Sequence, residues 1–208
     1  MKQAIIVGAS SGLGWELAVQ LAAKGYQLGV MARREELLNQ LVEQLPGEHF
    51  VQRTDVTNAE QSQRELEDLI ARMGDVELIV LSSGVGLFER DLDWVVEREM
   101  IDVNVRGFAA LSLVAMAHFT QRGAGHLAGI SSVAAHLFGA KTLTYHATKA
   151  FVSNYLAGMR SRAIRSGLPI TITTIEPGFV KTPMVQGTPI WTAPVEKGVA
   201  QMVSGLLK

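Results

Sequence analysis

Gly8-Ala9-Ser10-Ser11-Gly12-Leu13-Gly14 follows an apolar run at residues 3–7 and opens a helical pattern that extends to about residue 24. A turn of small residues between a strand and a helix lets backbone N–H groups and the helix N-terminus approach a phosphate without interference from Cβ atoms. The spacing is G-x-x-x-G-x-G rather than the commoner dinucleotide fingerprint G-x-G-x-x-G. This turn predicts a nucleotide-binding α/β fold.

The remaining apolar pattern alternates between short strand-like runs and longer helical runs. Such alternation, with short connections, predicts one α/β domain over residues 1–208, with a parallel sheet and right-handed crossovers. Further strands are predicted at 26–31, 50–51, 78–81, 126–130 and 170–175. Helices are predicted at 12–24, 35–45, 59–72, 94–122, 144–166 and 195–207.

The bulk composition excludes several classes of protein. Lysine and arginine total 19 and aspartate and glutamate total 20, so the formal net charge is −1 and does not favour binding to nucleic acid or to an anionic membrane. The absence of cysteine removes disulfides, thiolate catalysis and thiolate-bound zinc. The histidines show no ligand spacing, so no metal is predicted. No targeting segment or run of ~20 apolar residues is recognised, and we expect a cytoplasmic protein.

The residues after the second predicted strand bear on the choice of nucleotide. Ala32 lies 18 residues beyond Gly14, about where a dinucleotide-binding fold places the residue that contacts the adenosine ribose. An acid there binds the 2′-hydroxyl, whereas a guanidinium suits a 2′-phosphate. Arg33 and Arg34 follow Ala32 directly, which favours NADP(H) over NAD(H). We rank Arg33 above Arg34, because Arg34 also suits a solvated helix start.

The glycine-rich turn also satisfies G-x-S-x-G, the nucleophile elbow of α/β-hydrolases, with Ser10 as the nucleophile. In that fold an acid and then a late histidine complete the triad. Here the last histidine is His146, and the elbow would lie on the first strand. A serine hydrolase is therefore the least favoured of the functions that the residues leave open.

A second group of polar residues lies in the C-terminal half. Ser132 follows the fifth predicted strand, and Tyr145 and Lys149 lie four residues apart, on one face of the next helix. A phenol has a pKa of about 10, and a nearby ammonium stabilises the phenolate and lowers that pKa. A serine hydroxyl can hold a substrate oxygen while the phenol exchanges a proton with it, as required when hydride joins or leaves the same carbon.

These motifs together resemble the short-chain dehydrogenase/reductase family. The 13-residue spacing from Ser132 to Tyr145 matches the family spacing and selects Ser132 rather than Ser131. The stretch V-N-V-R-G at residues 103–107 resembles the family's V-N-x-x-G motif and makes Asn104 the fourth catalytic member. The matches run in family order from Gly8 to Thr182.

Further matches and departures concern the cofactor. Pro177-Gly178 with Thr182 resembles the family's P-G-x-x-x-T segment on the nicotinamide side, and Asp55-Val56 resembles the pair that borders the adenine. Val7 stands where the family commonly has threonine. Leu81-Ser82-Ser83-Gly84 stands where it has N-N-A-G, so the usual asparagine under the cofactor is replaced by serine.

The resemblance implies an NADP(H)-dependent oxidoreductase that acts on a carbonyl group or a secondary alcohol. Tyr145 would be the general acid in reduction and the base in oxidation, and Lys149 would lower its pKa and bind the nicotinamide ribose. Ser132 would polarise the substrate carbonyl, and Asn104 would hold a water of the proton relay. The implied cofactor-binding residues are Gly8, Ser10, Ser11, Gly12, Leu13, Gly14, Arg33, Arg34, Asp55, Val56, Ser83, Gly84, Tyr145, Lys149, Pro177, Gly178, Val180 and Thr182.

The resemblance also implies the architecture and the assembly. We expect a Rossmann-like, doubly wound parallel sheet of six strands in the order 3-2-1-4-5-6, short at its C-terminal end. The family commonly forms homodimers or homotetramers through the helices that carry Asn104 and Tyr145. Plausible contact residues are Ala109, Ala110, Leu113, Ala117, Phe151 and Leu156.

Apolar residues near the predicted site suggest a hydrophobic small-molecule substrate. The expected pocket wall comprises Gly86-Leu87-Phe88, His136-Leu137-Phe138, Phe179, Met184, Ile190 and Trp191. A catalytically silent NADP(H)-binding sensor or scaffold on the same fold is the main alternative. We disfavour it because such a protein has no need of the complete set of Asn104, Ser132, Tyr145 and Lys149.

Overall fold

The computed structural model describes residues 1–86, 93–139, 142–184 and 192–208. The strands are β1 (Gln3–Val7), β2 (Gln27–Ala32), β3 (Phe50–Arg53), β4 (Val76–Leu81), β5 (Gly125–Ile130) and β6 (Ile170–Ile175). The helices are α1 (Gly12–Ala23), α2 (Glu35–Glu43), α3 (Ala59–Met73), α4 (Trp94–Ile101), α5 (Phe108–Arg122), α6 (Leu143–Ser166) and α7 (Val195–Leu206). The expected elements are present, with ends that differ by a few residues.

The six strands form one parallel sheet in the order β3-β2-β1-β4-β5-β6, which confirms the predicted fold class and strand order. Val7 of β1 is in register with Met31 of β2 on one side and with Leu81 of β4 on the other. The carboxyl ends of the central strands therefore lie side by side. The chain reverses its direction of winding between β1 and β4, and doubly wound sheets bind ligands in the crevice at that point.

Helices cover both faces of the sheet, which explains why the strands are apolar along their whole length. On one face Ile5 and Val7 pack with apolar residues of α3, α5 and α6. On the other face Ala4 and Ile6 pack with apolar residues of α1, α2 and α7. Alternate residues of the same strand thus contribute to opposite core layers.

The helical region Trp94–Arg122 departs from the expectation of one regular helix. A π-helical turn, Asp102–Gly107, joins α4 to α5, and Gly107 lies so close to Val56 that a Cβ on it would be 2.4 Å from the Val56 carbonyl oxygen. Contrary to the expectation from the sequence, this region is long and apolar enough to span a bilayer. Its most apolar window is 61% buried within the protein, and packing of α5 against the sheet accounts for that composition.

Candidate active site

A cavity of about 710 Å³ lies at the carboxyl ends of all six strands, in the size range of small-molecule and cofactor sites. Every residue that the resemblance assigned to cofactor binding lines it, and so does Ser132. Asn104 does not. Residues from distant parts of the sequence converge here because parallel strands bring their carboxyl ends to one edge of the sheet.

The glycine-rich turn owes its shape to two close approaches. Gly8 adopts φ +90°, and a Cβ on it would lie 2.5 Å from the backbone nitrogen of Ser83. A Cβ on Gly14 would lie 2.1 Å from the carbonyl oxygen of Gly8. Side chains at these positions would push α1 away from β1 and β4. Ser11 precedes α1 without a side-chain cap, so the N–H groups of the first helical turn remain available to a ligand.

Both arginines after β2 are exposed and line the cavity, and Arg34, which we rank second, is the one that contacts the glycine-rich turn. Arg34 donates from one guanidinium nitrogen to the hydroxyl of Ser10 at 2.9 Å and to that of Ser11 at 3.0 Å. The guanidinium thus lies directly on the glycine-rich turn. The Arg33 side chain makes no hydrogen bond with the described residues. The helix-start position of Arg34, which we took as a sign of solvation, is what brings it to the turn.

Two buried hydroxyls border the cavity without a partner among the described residues. They belong to Thr54, directly after β3, and to Ser83, two residues after the end of β4. Buried hydroxyls are normally satisfied by protein or by ordered water, so these two have hydrogen-bonding capacity for water or for a ligand. Next to Thr54 in the chain, Asp55 accepts hydrogen bonds from the backbone N–H and the hydroxyl of Thr57 through one carboxylate oxygen, and Val56 is buried. Sequence reasoning identified Ser83 and Asp55 but missed Thr54.

Ser132 and Tyr145 meet on the inner side of the cavity. Ser132 begins a 3-10 turn, Val133–His136, in which its hydroxyl accepts from the N–H of Ala134 at 3.1 Å. The phenol of Tyr145 is hydrogen-bonded to the Ser132 side chain. Burial raises the pKa of Tyr145, and the hydrogen bond with Ser132 opposes that rise.

Lys149 is buried one helical turn beyond Tyr145. Its ammonium donates to the Ile130 carbonyl at 3.0 Å and lies 5.8 Å from the centre of the Tyr145 ring. Burial lowers the pKa of Lys149 to about 8. The expected lowering of the phenol pKa by this ammonium is not seen, because desolvation is the larger effect and the net pKa of Tyr145 is raised.

Asn104 lies in the π-helical turn and braces the loop after β4. Its Oδ1 accepts from the N–H of Val85 at 2.9 Å, and its Nδ2 donates to the Val85 carbonyl at 2.8 Å and to the Thr148 hydroxyl at 3.1 Å. Both protons of the amide are thus bound to protein, and the expected water-holding role of Asn104 stays a prediction. Asn104 and Lys149 flank Gly84, where a Cβ would come within 3.4 Å and 3.3 Å of their polar atoms.

The expected apolar wall is partly present. Leu137, Phe179 and Met184 line the cavity, and a Cβ on Gly86 would lie 3.2 Å from the Tyr145 ring. His136 and Phe138 do not line it, because His136 pairs with Glu176 and Phe138 is 98% exposed. The expected residues Leu87, Phe88, Ile190 and Trp191 lie outside the described residues. The sequence did not point to Val85, Glu99, Val133, Thr142 or His146, which also line the cavity.

The histidines argue against a hydrolytic triad at Ser10. All five are described, and each is hydrogen-bonded elsewhere, His146 to Thr142 and His136 to Glu176 for example. Within the described part of the chain, no three histidine or acidic residues lie close enough together to hold a metal ion.

The chain resembles known proteins over nearly its whole length. The model of the short chain dehydrogenase family matches residues 2–192. An uncharacterized oxidoreductase of Staphylococcus epidermidis is 31% identical over 189 residues, which cover 90% of this chain and 81% of that protein. One from Myxococcus xanthus is 34% identical over 186 residues, covering 87% and 73%.

Comparison with solved structures also shows similarity over the whole of this chain. A short-chain dehydrogenase from Streptomyces avermitilis superposes with a TM-score of 0.89 at 26% identity, covering all of this chain and 84% of that one. An alcohol dehydrogenase from the archaeon Thermococcus sibiricus, complexed with 5-hydroxy-NADP, gives 0.84 at 27% identity, covering all of this chain and 90% of that one. Fold, cavity and sequence together place the chain in the short-chain dehydrogenase family of oxidoreductases.

Proposed function

We propose that the protein is an NADP(H)-dependent oxidoreductase that interconverts a carbonyl group and a secondary alcohol, with Tyr145 as its general acid and base. The observation that carries this proposal is the hydrogen bond between the Tyr145 phenol and Ser132 in the cavity that the glycine-rich turn also lines. A proton donor and a phosphate-binding turn in one cavity suit a reaction that needs both a dinucleotide and acid–base catalysis.

The cavity fits a dinucleotide. Gly8 and Gly14 allow the turn to pack tightly on the loop after β4 and on α1, and the N–H groups of the first turn of α1 can hold the pyrophosphate. The unpartnered hydroxyls of Thr54 and Ser83 provide polar groups where the adenosine and the central part of the cofactor would lie. When bound, the cofactor supplies or accepts the hydride.

Ser132 and Tyr145 would act on the substrate oxygen. The Ser132 hydroxyl can hold that oxygen, and the phenol can donate its proton to it as the carbonyl carbon becomes tetrahedral. In oxidation the phenolate would take the alcohol proton. A phenol with a raised pKa holds its proton until the oxygen becomes basic, so the free enzyme is prepared to act as an acid.

Lys149 would bind the ribose hydroxyls of the cofactor, and its positive charge would stabilise the phenolate form of Tyr145. Among the described residues its ammonium donates to one carbonyl, that of Ile130, which leaves donors for a ligand. Exclusion of water by a bound ligand strengthens the attraction between an ammonium and a phenolate. We therefore assign the lowering of the phenol pKa to the ligand-bound state.

Arg33 and Arg34 support a preference for NADP(H). Residues 32–34, at the end of β2, include no carboxylate that would repel a phosphate. The Arg34 guanidinium already binds two hydroxyls of the glycine-rich turn. A guanidinium is well suited to a phosphate monoester. The 5-hydroxy-NADP complex of the Thermococcus sibiricus alcohol dehydrogenase is in accord with this preference.

The substrate is proposed to be a hydrophobic carbonyl compound. Leu137 and Phe179 are 60% and 57% exposed while they line the cavity, and large apolar side chains exposed at a cavity typically bind apolar ligands. A homodimer or homotetramer in the cytoplasm remains part of the proposal. Exposed Leu113 and Ala117 on α5 support a contact between copies.

A panel of ketones and aldehydes, apolar and polar, tests the proposal with NADPH and with NADH as reductant. We expect turnover of apolar carbonyls with NADPH and weaker turnover with NADH. Binding of NADPH without turnover of any carbonyl would favour the sensor or scaffold. Preference for NADH would contradict the role of the arginines, and preference for small polar ketones would contradict the apolar pocket.

A further inference from the structure

A line of hydrogen-bonded polar side chains outside the cavity connects the 3-10 turn at Val133–His136 with β6 and α6. The carboxylate of Glu176, the residue after β6, lies 2.6 Å from the Ser153 hydroxyl and 2.9 Å from Nε2 of His136. Ser153 lies 2.8 Å from the hydroxyl of Ser131, and Ser131 lies 2.8 Å from the Lys149 carbonyl oxygen. One carboxylate thus connects the ends of β5 and β6, the 3-10 turn and α6.

These contacts lie on both sides of Ser132. Ser131 precedes it and is buried, and His136 ends the turn that Ser132 begins. The backbone joins the same segments, since the N–H of Val133 donates to the Pro177 carbonyl at 3.1 Å. The Ser132 hydroxyl therefore lies on a short segment held at both ends by groups bound, directly or through Ser153, to Glu176.

The charge of Glu176 sets the direction of these hydrogen bonds. Burial raises the pKa of Glu176, but the hydrogen bonds that it accepts from Ser153 and His136 together outweigh that rise. The net pKa is below the usual value for a glutamate, so the carboxylate is ionised at neutral pH. An ionised carboxylate only accepts hydrogen bonds, and Ser153 has one hydroxyl proton to give. That proton goes to Glu176, so the single proton of Ser131, whose oxygen lies 2.8 Å from both the Ser153 hydroxyl and the Lys149 carbonyl oxygen, is shared between those two acceptors.

Neither direct contact with a ligand in the cavity nor a contribution to fold stability explains these hydrogen bonds of Glu176. Glu176, Ser153 and His136 do not line the cavity. The side chains of His136 and Glu176 are 65% and 32% exposed, and ion pairs this exposed contribute little to stability. What remains is the geometry that the carboxylate imposes on Ser132 and on the first turns of α6.

We propose that Glu176 is a positioning residue, which fixes Ser132 against Tyr145. Through His136 it binds the segment that carries Ser132, and through Ser153 it binds α6, the helix that carries Tyr145. This inference rests on the proposed function, because it assigns Glu176 to the reaction of that site. Displacement of a reacting group by about 1 Å can cost up to about 100-fold in rate.

The first test measures turnover per cofactor-binding site, with sites counted by titration with NADPH. Glu176→Ala should lower kcat by about 10- to 100-fold with little change in the Kd of NADPH. Glu176→Gln, whose amide oxygen still accepts from Ser153, should recover most of that loss. Ser153→Ala should resemble Glu176→Ala, and the double variant should be no worse than either. Asp75→Asn, which breaks an ion pair of Arg122 outside the cavity, is the matched control.

Wild-type kcat per site in Glu176→Ala, or losses that multiply in the double variant, would overturn the inference. A purely structural role would lower the melting temperature and the number of sites and leave kcat per site unchanged.

The second test needs no turnover and therefore separates the two proposals. The phenol of Tyr145 is titrated by phenolate absorbance as the difference between each protein and its Tyr145→Phe counterpart, with folding checked by circular dichroism. Because Ser132 lowers the pKa of Tyr145, Glu176→Ala should move the midpoint upward. Removal of a negative charge or exposure of the phenol to water would move it downward, so an unchanged or lower midpoint would contradict the inference even if no carbonyl substrate were found.

Discussion

At the mouth of the cavity the Arg34 guanidinium bridges the hydroxyls of Ser10 and Ser11, where a 2′-phosphate could take their place. Arg34→Ala should raise the Kd of NADPH by about 10- to 100-fold, as expected for hydrogen bonds to a charged group, and change the Kd of NADH by less than about twofold. Both constants can be measured by fluorescence titration. Arg72→Ala, which removes an exposed arginine outside the cavity, serves as the control, and equal weakening of both cofactors by Arg34→Ala would contradict the assignment.

The buried ammonium of Lys149 should make stability depend on pH. Its pKa is about 8 in the folded protein and about 10.4 in an unfolded chain. Between these values the unfolded state binds more protons than the folded state, so the free energy of unfolding rises with pH. Relative to Lys149→Met, wild type should gain about 2 kcal/mol from pH 8 to pH 10, measured by urea denaturation. Parallel curves would show that Lys149 is not desolvated.

Tyr145, Lys149 and Glu176 show which features of the site could be predicted from the sequence and which could not. The spacing of Tyr145 and Lys149 predicted one shared helical face, which the structure confirms. It could not indicate how deeply each group is buried, and burial reverses the expected effect on the phenol pKa. Glu176 escaped notice because no spacing rule links it to His136 and Ser153, which come together only when β5, β6 and α6 pack.

The α1 element depends on Gly14 because of the short distance to the Gly8 carbonyl. Gly14→Ala should lower the free energy of unfolding by about 1–3 kcal/mol through overpacking and weaken NADPH binding. Gly158→Ala, in α6 with nothing near its missing Cβ, should instead stabilise the protein by up to about 1 kcal/mol. Chemical denaturation of the two variants measures both effects. A neutral effect of Gly14→Ala would contradict the close packing of α1 on the turn.

Elements with a strong apolar period were predictable, whereas the irregular ones were not. The alternation of short and long apolar runs predicted the strands and helices in order. The π-helical turn at Asp102–Gly107 was read as part of one helix, because a shift from i+4 to i+5 hydrogen bonding leaves the apolar pattern almost unchanged. That turn matters functionally, since it places Asn104 against Val85 and Thr148 rather than in the cavity.

At the scale of the whole molecule the proposed dimer depends on which helix faces are free. Of the six expected contact residues, Leu113 and Ala117 are exposed, whereas Ala109, Ala110 and Phe151 are half-buried. Leu156 was a wrong choice: it is fully buried and packs at Gly129 of β5. A helical period identifies apolar faces but cannot tell a core face from an interface.

Leu113, which is 55% exposed on α5, provides the test of that assembly. Wild type should sediment as a dimer or tetramer at micromolar concentration, and Leu113→Glu should shift it toward the monomer, because a carboxylate buried in an apolar contact is costly. Gln40→Glu adds the same charge to an exposed site on α2, on the other side of the sheet, and should leave the assembly intact. A wild-type monomer would contradict the proposed association.

The reaction itself depends on the phenol of Tyr145, and its removal is the most direct measurement. Tyr145→Phe should reduce NADPH-dependent carbonyl reduction by about 10²- to 10⁴-fold, the usual cost of losing a positioned general acid, while the Kd of NADPH changes little. Tyr155→Phe on the same helix, whose ring stacks on Phe151 and does not line the cavity, should retain wild-type turnover. Wild-type turnover in Tyr145→Phe would contradict the proposed mechanism.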